Sequence, residues 1–375
     1  MDFCFVYSSG GGAGDWNAID RIWQDSMPQY FRNNLLIKFG DIFFNHRSSN
    51  NLIKPSYWNN TDNARQWLFN NTNDNSLFET DGLVLDVGTS KIVSFITHHN
   101  ENMNGVEIIQ EFDRLINDEQ ILDKFNQIIV NSNISNAVTF DIPNLFKVRT
   151  QVGNQSRNLF SENGCRQLLI EASAKYANYT YNGIGQNPNL LLTIISAHWS
   201  DEDIEQYLNL LNYNPTKLAI GGLTDYRVAE FSEMLVRLNN LLNFSNYERV
   251  HFLGSGGIRK ANIITETLGN LENFSVDNTT AYNRAIDGNK RGTSMSGYYD
   301  YVSKDLIRIN PQNRSRILQL HSEVPNNRAY FSNEEMTDII DSILLHQSNN
   351  TSHNTFNNRA KLVIHNFDVY RYNIE

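Results

Sequence analysis

Between residues 217 and 277 the chain reads KLAIGGL (Lys217–Leu223), a mixed stretch from Arg227 to Leu242, RVHFLG (Arg249–Gly254), a second mixed stretch from Lys260 to Leu268, and NFSVD (Asn273–Asp277). Three short runs rich in apolar residues therefore alternate with two stretches of helical periodicity. The runs are continuously apolar rather than alternating, as expected of strands buried on both faces. Strands of that kind joined by helices form parallel βαβ units.

The same alternation continues upstream. Phe3–Tyr7 is followed by a helix-like stretch, Trp16–Met27. Leu35–Phe39 is followed by a polar, Asn-rich segment to about residue 80. Leu83–Asp86 is followed by a long helical pattern from about Gly105 to Val130. Ala137–Asp141 precedes a helix around Cys165–Tyr176, and Leu190–Ile195 precedes Asp201–Leu211. Eight strand–helix units close a barrel. The predicted fold class is α/β, a (β/α)₈ TIM barrel with a C-terminal extension. A doubly wound open sheet is the alternative, and no repeat of solenoid period is present.

Two regions follow from this layout. Residues 1–287 are expected to form the barrel as a catalytic domain. Residues 288–375 are expected to form a C-terminal extension, with a basic loop and a terminal helix, packed on the barrel. Asp287–Asn327 reads as a loop, Asn333–His346 as a helix, and Lys361–Phe367 as a final apolar run. Between Lys290 and Arg316 stand Lys290, Arg291, Lys304, Arg308, Arg314 and Arg316, against only Asp300 and Asp305.

Composition narrows the function classes. The 375 residues are 40% hydrophobic, enough for a large core, and 11% aromatic, which excludes a disordered composition. A formal net charge of −10 argues against a generic nucleic-acid binder and leaves room for a local basic groove. Cys4 and Cys165 are the only cysteines. They permit one disulfide, and they cannot supply a Cys₃ or Cys₄ zinc site. The N-terminus carries neither a basic segment nor a long apolar one, and no run approaches a membrane span. The expected location is a reducing cytoplasm, without a membrane partner.

Chemistry in a barrel sits at the C-terminal ends of the strands. Asp86, Asp141 and Asp277 each end an apolar run. Any one of them reads equally as a helix cap or loop contact. Three at equivalent ends point to catalysis or ligand binding, because an acid leaving a buried strand must be paired or solvated. Gly221-Gly222 and Gly254-Ser255-Gly256-Gly257 follow two later strands. Bare backbone there suits a flat ligand or a phosphate, or simply a tight turn. His198, after the fifth run, suits a ligand contact or a structural role. Gly10–Gly14 is a weak dinucleotide signal, and neither a Gly-x-Ser-x-Gly elbow nor a metal-ligand spacing of histidines is present.

Taken in order, these strand ends resemble the tRNA-guanine transglycosylase superfamily. Leu218-Ala219-Ile220-Gly221-Gly222-Leu223 looks like the family's AIGGL segment, whose backbone holds the purine. Phe252-Leu253-Gly254-Ser255-Gly256 resembles its LMGVG strand, and Phe274-Ser275-Val276-Asp277 the strand ending in the nucleophilic aspartate. Leu85-Asp86-Val87-Gly88-Thr89-Ser90 resembles the DSGG segment bearing the general base. Thr139-Phe140-Asp141 resembles the strand whose aspartate reads the purine edge. The likeness covers roughly residues 83 to 285.

The resemblance implies a pentosyltransferase that exchanges a base through a covalent glycosyl-aspartate. Asp277 and Asp86 are then catalytic, and Asp141, His198, Gly221, Gly222, Leu223, Gly254 and Ser255 bind substrate. Arg284, Lys290 and Arg291 are the expected nucleic-acid contacts. The family's Cys-x-Cys-x-x-Cys zinc site is absent, because no cysteine follows Cys165, so no cofactor is expected. The family's glutamine after strand five falls near Ala197 or His198, and its stacking aromatic is replaced near Ser90. This divergence is most like the DpdA branch of bacteria and phages. The implied reaction replaces guanine in DNA with the 7-deazaguanine preQ0, with guanine leaving and a helper protein as a possible partner. A tRNA-acting enzyme, a non-catalytic nucleic-acid-binding barrel subunit, and a phosphate-binding enzyme of small metabolites are the other readings.

Overall fold

The computed structural model describes residues 1–7, 34–72, 82–100, 102–143, 147–149, 156–158, 164–269, 272–278, 285, 296–325, 328–349 and 354–374. Eight strands make the barrel. In chain order these are β1 (Asp2–Tyr7), β2 (Leu35–Lys38), β3 (Val84–Asp86), β4 (Asn136–Val138), β5 (Leu191–Ser196), β6 (Lys217–Gly221), β7 (Arg249–Phe252) and β8 (Phe274–Asn278). Every pairing is parallel, each strand lies beside its sequence neighbour, and β1 pairs with β8 to close the ring. The fold is therefore a (β/α)₈ barrel. The open-sheet alternative fails on the β1–β8 pairing, which sets Asp2 opposite Ser275 and Cys4 opposite Asp277.

The strands hold because both faces are covered. All six residues of β5 are buried, as are the five of β8. The outer helices present one apolar stripe each. In Gly105–Asp118 the buried residues include Ile108, Ile109, Phe112, Leu115 and Ile116, the three-to-four spacing of a helix face. Asn104 and Glu107 form a capping box at its start, and Ser200 and Asp203 form another on Asp201–Leu210.

Element boundaries differ from the sequence reading in three places. The pattern expected from Gly105 to Val130 is two helices, Gly105–Asp118 and Ile121–Asn131, preceded by a third, Ser90–His99. Gln120 breaks the pattern by adopting a left-handed backbone (φ 52°). The helix from Cys165 extends to Gly183. The segment Asp287–Asn327, read as a loop, contains the hairpin Gly297–Tyr299 and Leu306–Arg308 and the helix Arg314–Ser322.

The last helix, Asn354–Ile374, lies against β1 and against the helix Ile258–Leu268 that follows β7. Phe367 packs on Phe3 and Phe5 at ring distances of 5.8 and 4.5 Å. This is the position an eighth outer helix takes, between the last and first strands. Among the described residues no helix is long and apolar enough to cross a membrane.

Candidate active site

Asp86 is the last residue of β3 and Asp277 the penultimate residue of β8. Asp141 stands three residues beyond β4 rather than on the strand itself. All three lie at the C-terminal mouth, and each is held differently.

Asp277 is 5% exposed. Its Oδ1 accepts from the Gly254 backbone N–H at 2.7 Å and lies 3.2 Å from His251 Nε2. Among the described residues Oδ2 accepts no hydrogen bond. Burial pushes the Asp277 carboxyl up, yet the hydrogen bond and charge of His251 and the charge of Lys38 outweigh it and hold Asp277 below the usual carboxylate range. His251 shows the reciprocal effect. Burial works against its proton, but hydrogen bonds with Asp277 and Cys4 raise it to about 9.

Asp86 accepts from the Val87 N–H at 2.7 Å through Oδ1, and its Oδ2 lies 3.6 Å from Lys38 Nζ. Burial raises its pKa, Lys38 opposes the rise, and the negative charge of Asp277 adds to it. Asp141 accepts from Thr89 Oγ1 at 3.3 Å. Burial, and then the charge of Asp86, push Asp141 up to about 7. One mouth thus carries an ionised carboxylate beside two carboxyls biased toward the neutral form. That is how acid and base roles are divided between like groups.

On the opposite side of the mouth His198 Nε2 lies 4.0 Å from Asp225 Oδ2. His198 Nε2 lies 3.0 Å from the Gly222 carbonyl oxygen, and its ring stacks on Tyr226 at 4.8 Å and 12°. The Tyr226 hydroxyl donates to the Ala197 carbonyl at 2.8 Å, which fixes the stack. Gly222 has φ 77°, and a Cβ there would sit 2.7 Å from His198 Cδ2. Gly254 has φ 68°, the conformation that aims its N–H at Asp277.

Other expected site residues have these surroundings. The Leu223 side chain is fully buried, and its carbonyl accepts from Lys260 Nζ at 2.5 Å. Ser255 is buried, with its hydroxyl turned back to the Phe252 carbonyl at 2.7 Å. Gly221 ends β6 against Ile194. In the basic stretch, Arg314 is spent on Asp341, with Nε–Oδ1 and Nη2–Oδ2 separations of 2.5 and 2.7 Å. Lys304, Arg308 and Arg316 are exposed. Arg284, Lys290 and Arg291 lie outside the described residues.

Sequence reasoning missed Lys38 and His251. Both signals were present as polar residues inside apolar runs, LLIKF and RVHFLG. A charge there needs a buried partner.

Cys4 and Cys165 are buried and form no disulfide. Cys4 lies on β1 and Cys165 starts an outer helix. Among the described residues no three His, Cys, Asp or Glu side chains gather as a metal site. Compared with known proteins, the chain matches no family model and no curated protein sequence.

Proposed function

We propose that the protein is a base-exchange transglycosylase that replaces guanine in DNA with a 7-deazaguanine such as preQ0. The observation that carries this reading is the placing of three acids at one mouth, each held differently: Asp277 by the Gly254 N–H and His251, Asp86 beside Lys38, and Asp141 by Thr89. These surroundings bias Asp277 toward the ionised form and raise Asp86 and Asp141. Exchange of a base without strand cleavage needs two displacements at C1′, hence one nucleophilic carboxylate and one that shuttles a proton.

In the first displacement Asp277 Oδ2 forms the bond to C1′ of a flipped-out nucleotide. The C1′–N9 bond breaks, its electron pair goes to the base, and the proton of neutral Asp86 goes with the departing guanine. Asp86, now a carboxylate, takes the N9 proton of the incoming 7-deazaguanine. That nitrogen attacks C1′ and Asp277 leaves. Lys38 stabilises the charge on Asp86 while it is ionised. Asp141 accepts from the donor edge of the purine, and the His198–Gly222 side supports its flat face. The target must leave the stack to reach a recessed mouth.

The likeness of the strand ends to the tRNA-guanine transglycosylases supports the reaction class. The missing zinc cysteines favour DNA over tRNA. The test is incubation with labelled preQ0 and either DNA or tRNA. Incorporation into DNA, lost in Asp277→Asn, is the expected result. Incorporation into tRNA alone reassigns the substrate, and full activity in Asp277→Asn removes Asp277 as nucleophile.

A further inference from the structure

The interior of a (β/α)₈ barrel is ordinarily filled with branched apolar side chains. The wedge between β7, β8 and β1 is filled differently. Alternation along the strands sends Arg249 and His251 of β7, and Ser275 and Asp277 of β8, to the inner face. Phe252 and Phe274 take the outer face, where their rings pack 5.3 Å apart. Cys4 points inward between Phe3 and Phe5, which pack outward on Phe367.

These inward groups form one connected chain. Arg249 donates from Nε to Ser275 Oγ at 2.9 Å and from Nη2 to Cys4 Sγ at 3.5 Å. His251 Nδ1 lies 2.9 Å from the same Ser275 Oγ, and Nε2 lies 3.2 Å from Asp277 Oδ1. An arginine only donates, so Ser275 Oγ accepts from Arg249. Its second lone pair and its own hydroxyl hydrogen both face His251 Nδ1, which is met with or without a proton. An ionised Asp277 requires a proton on Nε2. His251 and Ser275 are 0% and 1% exposed. Bulk solvent does not reach them, and a buried polar set of this kind is tolerated only when its members are satisfied.

We propose that His251 is a positioning residue: its Nε2–H donates to Asp277 Oδ1, favours the ionised carboxylate, and leaves Oδ2 as the attacking oxygen. Arg249 and Ser275 hold the imidazole from behind. With the Gly254 N–H also on Oδ1, rotation of the carboxylate breaks two hydrogen bonds at once. The catalytic part of this proposal rests on the reading of Asp277 as nucleophile. The hydrogen bond from His251 to Asp277 does not.

Two measurements on the full chain test the proposal. The first is ¹⁵N NMR of the His251 ring at pH 7.5. Nε2 is expected to be protonated, and Asp277→Asn is expected to lower the titration by at least about one pH unit. A ring without a proton on Nε2 in the wild type, or a titration unmoved by Asp277→Asn, overturns the proposal. The second is the kinetics of base exchange. His251→Gln is expected to lower kcat about 100-fold, with KM for the incoming base within about twofold, and to move the acid limb of the kcat profile upward. An unchanged kcat and acid limb overturn the positioning role. If His251→Gln does not fold, Ser275→Ala is read by the same kcat and KM split. If the wild type exchanges no base, the proposed function fails while the NMR result still decides the state of His251.

Discussion

Lys38 Nζ lies 3.6 Å from Asp86 Oδ2, and its charge also acts on Asp277. Burial would lower the pKa of this lysine, but Asp86, Asp277 and Asp41 together hold it above its ordinary value. One cation at the end of β2 therefore serves the acids of β3 and β8. Replacing it with Met removes a positive charge acting on both, so both carboxyls move up. A rate that needs ionised Asp277 then requires higher pH. Lys38→Met is expected to shift the acid limb of the exchange profile upward by about one pH unit or more. The loss of activity should be greater at pH 6 than at pH 8. An unshifted limb would separate Lys38 from the chemistry.

Asp141 titrates near neutrality, at about 7, through burial and the charge of Asp86. Its ionised form accepts from the N1–H and amino donors of a guanine-like edge. Calorimetry with guanine or preQ0 should show binding that tightens by about tenfold between pH 6 and pH 8. Asp141→Asn should flatten that dependence. The stability sign runs the opposite way. An acid raised in the fold keeps a proton that the unfolded chain has lost between about pH 4 and 7, so stability falls as pH rises through that window. Asp141→Asn is therefore expected to raise Tm at pH 8 and leave it unchanged below about pH 4.

Gly222 couples backbone shape to the position of His198. A Cβ at φ 77° is strained, and it would stand 2.7 Å from the imidazole. Gly222→Ala is expected to cost roughly 1–2 kcal/mol in thermal or urea unfolding. It should also displace His198 from the Gly222 carbonyl and weaken purine affinity more than Gly221→Ala does. Equal affinity loss at the two positions would remove the His198 argument.

His365, on the last helix, is fully buried and donates from Nε2 to the Tyr299 carbonyl at 2.8 Å. Its Nδ1 has no hydrogen-bond partner among the described residues. Burial, with the nearby charge of His321, depresses its pKa to about 3. A histidine depressed in the fold leaves stability complete above its unfolded value of about 6.5 and erodes it as pH falls toward 3. Tm should drop across that window, as stability falls by on the order of a few kcal/mol in total. His365→Gln should lower Tm at pH 8 and shrink the acid-dependent part of the drop. A His365→Gln melting profile parallel to the wild type would place the acid sensitivity elsewhere.

The barrel was legible because its strands are short apolar runs separated by helical patterns, and KLAIGGL and NFSVD fell close to their true bounds. The acids Asp86 and Asp277 were legible for the same reason, since each interrupts a run where a barrel strand ends. Lys38 and His251 were not, because a single polar residue inside LLIKF or RVHFLG gains meaning only from what faces it. Those partners lie on β3 and β8, far away in sequence. Ser255 and Leu223 read as ligand contacts from their neighbours in the motif. Their side chains are held by the Phe252 carbonyl and the core. The hairpin Gly297–Tyr299 and Leu306–Arg308 was hidden by the polar residues between its short strands.

The pairing of β1 with β8, sealed by Phe367 on Phe3 and Phe5, joins residues more than 270 positions apart. Contacts of such sequence separation carry the largest loop-closure entropy and form late. Asp277 and Cys4 face each other across that seam, and His251 reaches Asp277 from the neighbouring strand β7. A nascent or partly unfolded chain can hold β2 to β6 in place and still lack the aligned carboxylate. Catalytic competence should therefore appear as an all-or-none event late in folding, and an incomplete barrel would be chemically silent toward nucleic acid.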